Sequence, residues 1–355
     1  MPPNDEVPSQ GPAASPGPAP ARLRSTDIAR LAGVSVSAVS LAFNARPGIS
    51  DATRKRILDV AAELNWRPHR AARALKGANN DVVGIAIARP ARTLGVEPFF
   101  GHVLSGLQSR LSNEGIATQL LIVEDTEAEI AVYRRWAAEN RVDGLVLFDL
   151  AVDDVRPRLI ADLRIPAVVL GGHGAPLPLT SVWADDHAAM TRILDYLAAL
   201  GHRSIGHVSG IPSYQHTRRR LQAIADARGA LDILSVATDC SDTQGASATR
   251  QLLQADPRCT AIIYDSDVMA AAGLGVATEM AVRVPGDVSI VSFDDSVLTH
   301  LPHPPITALT RDTYALGTLT ATELLHVMAE RPEPRAVQAP TPELAPRGST
   351  APPRA

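Results

Sequence analysis

From Asp81 onward, short β-branched runs alternate with amphipathic helical stretches, and this alternation admits few folds. A strand followed by a crossover helix returns parallel to its predecessor, so repeated βα units build parallel sheets covered on both faces. The pattern predicts strands over 82–87, 118–123, 144–148, 167–170, 204–209, 231–237, 261–264 and 289–293. Eight such strands exceed one compact five-stranded sheet, so the expected core is α/β, two doubly wound parallel-sheet lobes with a cleft between them. Ligands of open parallel sheets lie beyond the strand C-termini, which here read Phe148-Asp149, Gly171-Gly172, Tyr264 to Asp267 and Phe293 to Asp295.

The region before this core follows a different period. Residues 1–22 are rich in Pro, Ala, Gly and Ser without apolar periodicity, and are expected to be disordered. Residues 23–68 then read as an all-α helix-turn-helix unit. Ser25 is placed to cap a helix with Ile28, Leu31 and Ala32 on one face, and Gly33 ends it. Ser35 caps a second helix, with Val39, Ala42 and Phe43 inward and Ser37, Ser40, Leu41 and Asn44 outward. Ser50 caps a third, striped by Ile57, Val60, Ala61 and Leu64. Residues 69–80 form a basic linker, 81–345 the core, and 346–355 a Pro/Arg/Ser tail expected to fray.

Charge divides along the same boundary. The whole chain carries −4, yet residues 22–77 hold eleven Arg/Lys against four acids, a net +7, and the 278 residues that follow carry −9. A small basic module ahead of an acidic core suits contact with nucleic acid phosphates through that module alone.

Other classes find little support. The apolar runs fall short of the roughly 18 residues that cross a bilayer, and the N-terminus has no apolar segment of the secretory kind, so no membrane partner and a cytoplasmic location are expected. Cys240 and Cys259 have neither CxxC spacing nor a His partner at ligand spacing, so they are expected as buried small residues, with no metal and no cofactor. Residues 206–210 (GHVSG) do not form a nucleophile elbow and 171–174 (GGHG) lack dinucleotide spacing, so no enzyme is expected. His202 and His207, at the start of a predicted strand, fit core or surface roles. A cytoplasmic small-molecule-binding protein or enzyme of the same two-lobed fold, without specific binding to duplex DNA, is the alternative.

The segment 26–44 (TDIARLAGVSVSAVSLAFN) followed by 46–50 (RPGIS), Thr53-Arg54, 62–68 (AELNWRP) and 71–75 (AARAL) resembles the DNA-binding region of the lac/galactose repressor family in order and spacing. Residues 201–205 (GHRSI), 218–221 (RRRL), 284–295 (VPGDVSIVSFDD) and 347–350 (RGST) look like that family's effector-binding core, so the resemblance spans roughly 24–350. It implies a periplasmic-binding-protein-like core and a homodimeric transcriptional regulator, most simply a repressor on a palindromic operator of double-stranded DNA, answering to a small polar effector such as a sugar. By resemblance, Val36, Ser37 and Leu41 match base-reading positions, although leucine offers only apolar contact where the family often has a long polar side chain. Ser35, Ser40, Asn44, Ser50, Thr53 and Arg54 match backbone-contacting or capping positions. Ala71, Ala72 and Leu75 match a hinge helix whose leucine wedges into a minor-groove base step. In the effector cleft, Arg220 and Asp294 match residues that hold ligand hydroxyls, and Ser266 and His216 match polar contacts. Cys240 stands where an aromatic often stacks, leaving Phe99, Phe100 or Phe148 to supply a platform. Asp149 and Asp267 are further candidates, Asp267 equally fitting a helix N-cap and Asp295 a turn.

Overall fold

The computed structural model describes residues 23–43, 46–66, 79–89, 94–255 and 258–354. The chain forms two compact units, Met1–Ala78 and Asn79–Ala355.

In the first unit, α1 (Ser25–Ala32), α2 (Val36–Phe43) and α3 (Asp51–Glu63) surround a small core of Ile28, Ala29, Val39, Ala42, Ile57 and Ala61. Gly33 adopts φ 64 at the C-cap of α1, the left-handed conformation that glycine reaches without cost, and the chain turns there so that α1 and α2 meet at a bend of 99°. Trp66 closes the core from below. Its ring meets Phe43 edge-on at 5.5 Å and its indole N–H donates to the Leu23 carbonyl.

Three local expectations change. Ser25 lies within α1, whose N-cap is Arg24; the Arg24 backbone N–H donates to the Asp27 carboxylate instead. Leu31 and Leu64 are 51% and 38% exposed, because Ala29 and Trp66 take the inward positions assigned to them. Ser35 and Ser50 do cap α2 and α3, accepting from the N–H groups of Ala38 and Thr53.

The second unit contains two six-stranded sheets. The first lobe has β1 (Val82–Ala88), α4 (Pro98–Ser112), β2 (Ala117–Val123), α5 (Thr126–Glu139), β3 (Gly144–Leu147), α6 (Arg156–Leu163), β4 (Ala167–Leu170) and β5 (Thr180–Trp183). The chain then enters the second lobe with α7 (Asp186–Leu200), β6 (Ser204–Ser209), α8 (Gln215–Asp226), β7 (Asp232–Ala237), α9 (Asp242–Leu253), β8 (Ala261–Tyr264), α10 (Asp267–Glu279), β9 (Ser289–Ser292), α11 (Val297–His300) and β10 (Thr307–Thr310). It returns to the first lobe through α12 (Thr313–Glu330) and β11 (Ala336–Gln338), and crosses a third time to β12 (Glu343–Ala345). The strand orders are β11-β5-β4-β3-β1-β2 and β12-β10-β9-β8-β6-β7, parallel throughout except for β12 against β10.

Strand periodicity explains the layering. On β1, Val83, Ile85 and Ile87 pack under α4 and α12, whereas Val82 and Ala86 face Val132, Tyr133 and Trp136 of α5. The second lobe repeats the scheme. Ile205 and Ile263 face α7 and α8, and Val208, Ile262 and Tyr264 face α9 and α10. Four strands absent from the eight expected ones complete the sheets: β5, β10, β11 and β12. Each has three or four residues, and prolines such as Pro178, Pro305 and Pro334 stand close by, so their sequence reads as loop.

The tail from 346 is not frayed. Ser349 is fully buried, its carbonyl accepting from Ile290 and its hydroxyl from Thr307 N–H, while the Arg347 guanidinium makes two 2.7 Å contacts to Asp295. This ties Asp295 to Arg347, which goes beyond a turn role. No single helix among the described residues is long and apolar enough to cross a membrane.

Candidate functional site

In the first unit, α2 presents Val36, 45% exposed, and Ser37, exposed, with Leu41 half-buried against the turn at Gly48. Ser35 Oγ lies 2.8 Å from Ser37 Oγ and Thr53 Oγ1 lies 2.9 Å from Ser50 Oγ, so two capping serines share hydrogen bonds with neighbouring hydroxyls. Ser40 is half-buried and not without partners. Arg54 has a specific task. Its guanidinium donates to the carbonyls of Leu41, Ala42 and Arg46, satisfying the C-terminal end of α2 and pinning α3 to it. Asn44 and the hinge positions Ala71, Ala72 and Leu75 lie outside the described residues.

In the second unit a cavity of about 110 Å³ opens between the lobes at the C-terminal ends of the strands. Arg89 follows β1, Asp149 follows β3, Gly171 follows β4, Cys240 follows β7, Ser266 follows β8, Asp294 follows β9 and Arg311 follows β10. That placement is a property of the fold: backbone pairing ends there, and side chains from both lobes converge on one space. All seven residues expected in the cleft line it: Phe99, Phe148, His216, Arg220, Cys240, Ser266 and Asp294. So do Asp149 and Asp267, and the aromatic wall is Phe99, Phe100, Phe148 and Trp183.

The polar groups are arranged as buried ion pairs. Arg89 contacts Asp149 at 2.6 Å and Glu97 at 2.8 Å, with its guanidinium 5.0 Å from the Phe100 ring centre. Arg220 contacts Asp186 at 3.1 Å and Asp265 at 3.4 Å, and stacks 3.5 Å from the centre of Phe293. Arg311 contacts Asp294 at 2.5 Å and lies over Phe99. Behind Arg220, Asp265 accepts from the Gly210 N–H and sits 3.1 Å from Nε2 of His207, a fully buried histidine whose Nδ1 meets Ser235. His202 is likewise a core residue, bridging Thr260 and the Ala351 carbonyl.

Electrostatics follows from burial and these pairs. Burial opposes the charge on Asp265, but Arg220 and His207 hold its carboxyl well below the usual range. Burial and the Arg220 charge push the His216 pKa down, so the ring is neutral. Burial raises the Cys240 thiol to about 12, which removes it as a nucleophile at neutral pH; Cys259 is the buried small residue expected. Burial also raises Glu97 to about 7 despite Arg89, with Asp149, Asp294 and Asp267 adding to the shift. Ser266 is the N-cap of α10, accepting from Met269, and Asp267 lies at the first helical position, so the capping role falls one residue earlier than expected. No group of three or more His, Cys, Asp or Glu among the described residues could hold a metal ion.

Sequence reasoning missed Arg89, Glu97, Asp186 and Arg311, and marked Asp265 only as part of a strand end. The available signal was position: each is a charged residue at a strand end or at the start of a helix that follows one. The mouth also has a fastening. Ala151 of the first lobe and Tyr214 of the second form an antiparallel bridge, with Val152 N–H donating to Ser213 O and Gln215 N–H to Leu150 O, both at 2.8 Å.

A helix-turn-helix unit ahead of a two-lobed core with a charged cleft at its strand ends defines a class of DNA-binding transcriptional regulators that carry a ligand-binding core. Residues 26–69 match the bacterial regulatory proteins of the lacI family, and residues 194–350 match the periplasmic binding protein-like domain. A curated relative from Streptomyces limosus, an uncharacterised HTH-type transcriptional regulator in the aml 5′ region, is 30% identical over 94% of this chain and 95% of its own length. Two solved structures share the fold. The lac repressor dimer bound to operator and the anti-inducer ONPF is 26% identical, with a TM-score of 0.80 over 93% of this chain and 99% of that one. The CelR–cellobiose complex is 27% identical, with a TM-score of 0.70 over 92% and 100%. The chain belongs to the lacI family of bacterial regulatory proteins.

Proposed function

We propose that the chain works as a homodimeric repressor that binds a palindromic operator and changes its operator affinity when a small hydroxyl-rich effector occupies the inter-lobe cleft. The observation that carries the effector site is the convergence of two buried arginines, Arg89 and Arg220, and the half-buried Arg311, all paired with carboxylates, on a cavity walled by aromatic rings. Held side chains in a concave apolar setting recognise polar ligands without an ordering cost. Operator binding is supported by the exposed start of α2, the charge of the first unit, and the lac repressor's complex with operator. A sugar effector is supported by the CelR–cellobiose complex.

In this reading Val36, Ser37 and Leu41 face base edges, while Ser35, Ser40, Asn44, Ser50 and Thr53 keep register on the backbone. Ala71, Ala72 and Leu75 serve a minor-groove hinge. One helix-turn-helix spans a half-site, so a two-fold pair of chains reads a palindrome. Selecting bound DNA from a random duplex pool with the purified protein tests this reading: one palindromic motif is expected, and enrichment of no motif, or of a single half-site, would overturn it.

A further inference from the structure

We propose that the cleft is built for a positively charged effector, a small hydroxylated amine, and rejects phosphorylated or carboxylated ligands. This rests on the cleft being the effector site and narrows what enters it.

Charge is the first argument. Six carboxylates line the cavity, Glu97, Asp149, Asp186, Asp265, Asp267 and Asp294, against three guanidiniums, Arg89, Arg220 and Arg311. With His216 and Cys240 neutral, the fully ionised site carries a formal charge of −3. Closing a neutral ligand into such a space leaves carboxylates desolvated and uncompensated, whereas a cation offsets them.

Hydrogen-bonding capacity is the second. Arg220 spends Nε and Nη2 on Asp186 and Nη1 on the Asp265 carbonyl, so each of its three nitrogens already has a protein partner. Both oxygens of Glu97 accept from Arg89, and Arg89 Nε is committed to Asp149. Among the described residues, Nε of Arg311 is the one buried lining donor without a partner, whereas on the acceptor side the buried Oε1 of Gln215 has none and the pairs described engage only Oδ2 of Asp149 and Oδ1 of Asp186 and Asp294, so open acceptors outnumber it. The space therefore favours a ligand rich in donors, and an ammonium group supplies three with no acceptor.

The aromatic wall agrees. The faces of Phe100 and Phe99 already hold the Arg89 and Arg311 cations, and Phe148 and Trp183 add further rings beside the cavity. Burial raises Glu97 to about 7 and raises Asp267 as well, and neighbouring carboxylates add to both shifts, Asp149, Asp294 and Asp267 for Glu97 and Asp294 for Asp267.

The test uses the full-length chain in an amine-free buffer, titrated with glucosamine, galactosamine, mannosamine and ethanolamine. Each is compared with its N-acetyl derivative, and the sugars also with their 6-phosphates. Calorimetry reads affinity and Trp183 emission reads occupancy of the cleft, with Trp183→Phe as the control for the signal. At least one amine is expected to bind about tenfold or more tightly than its N-acetyl partner, the margin of a charge-assisted over a neutral hydrogen bond, while the 6-phosphates do not bind. Asp149→Asn should shrink the amine preference while the protein stays folded by circular dichroism. If no amine exceeds its N-acetyl partner, or a 6-phosphate binds as well, the charge assignment is overturned. In that event, a Trp183 response to the neutral ligand leaves the cleft as the effector site. An amine that binds with Trp183 silent overturns the cleft reading as well.

Discussion

Arg54 carries a cation to the C-terminal end of α2, where it binds the carbonyls of Leu41 and Ala42, and to the Arg46 carbonyl in the turn that follows. Sequence resemblance placed it among backbone-contacting positions, and its hydrogen bonds within the first unit give it a second job, orienting the helix that presents Val36 and Ser37. Arg54→Met should therefore lower the stability of the first unit by about 1–2 kcal/mol. Operator affinity should fall more than Lys55→Met makes it fall, since Lys55 is exposed and pairs with Asp59 on its own helix. Equal losses, measured at one salt concentration, would assign Arg54 to phosphate contact alone. Glu97 offers a residue-level pH test. Its folded pKa of about 7 lies above the ordinary 4.5, so its contribution to stability is complete below pH 4.5 and declines as pH rises through 7. Glu97→Gln does not titrate. The melting temperature of the variant relative to wild type should therefore rise between pH 5 and about 8, and a pH-independent difference would refute the shift.

Two helices of the first lobe meet backbone to backbone, a contact that no single segment of sequence announces. A Cβ at Gly106 of α4 would collide with the Tyr314 carbonyl, and one at Gly317 of α12 with the Val103 carbonyl, so both crossing helices need glycine here. Gly317→Ala must push the helices apart and should cost at least about 1–3 kcal/mol, the usual range for overpacking, in denaturant unfolding of the second unit. Gly275 of α10, with open space around it, gives the contrast, and its alanine variant should be neutral or mildly stabilising. At this scale the sequence is legible where pattern is local. The apolar runs of β1, β6, β8 and β9 and the caps at Ser35 and Ser50 could be read directly. The short strands β5, β10, β11 and β12 could not: β11 and β12 have three residues and no period to detect, and the edges of β5 and β10 that they cover are completed only by these later segments of the chain. Leu31 and Leu64 misled for a related reason: helical spacing gives a stripe, but Ala29 and Trp66 decide which side of it is filled. Arg89, Glu97 and Arg311 escaped notice because their partners gather only when both sheets are assembled.

At the scale of the second unit, the chain crosses between the lobes three times, and the Ala151–Tyr214 bridge ties them once more by main-chain hydrogen bonds. Gln215 reinforces the bridge, its Nε2 donating to the Ala151 carbonyl at 2.9 Å. Main-chain bonds cannot be deleted by a side-chain change, but proline removes a donor. Val152→Pro abolishes the donor to Ser213 and should speed both association and dissociation of the effector in stopped-flow measurements, with a smaller change in equilibrium affinity. Unchanged rates would mean that the ligand passes elsewhere. Slower exchange in wild type than in Val152→Pro would mean that the pocket exchanges its contents only as often as this bridge opens. The regulator then responds to how long its effector has been present as well as to how much, and a brief fluctuation in supply passes without altering transcription.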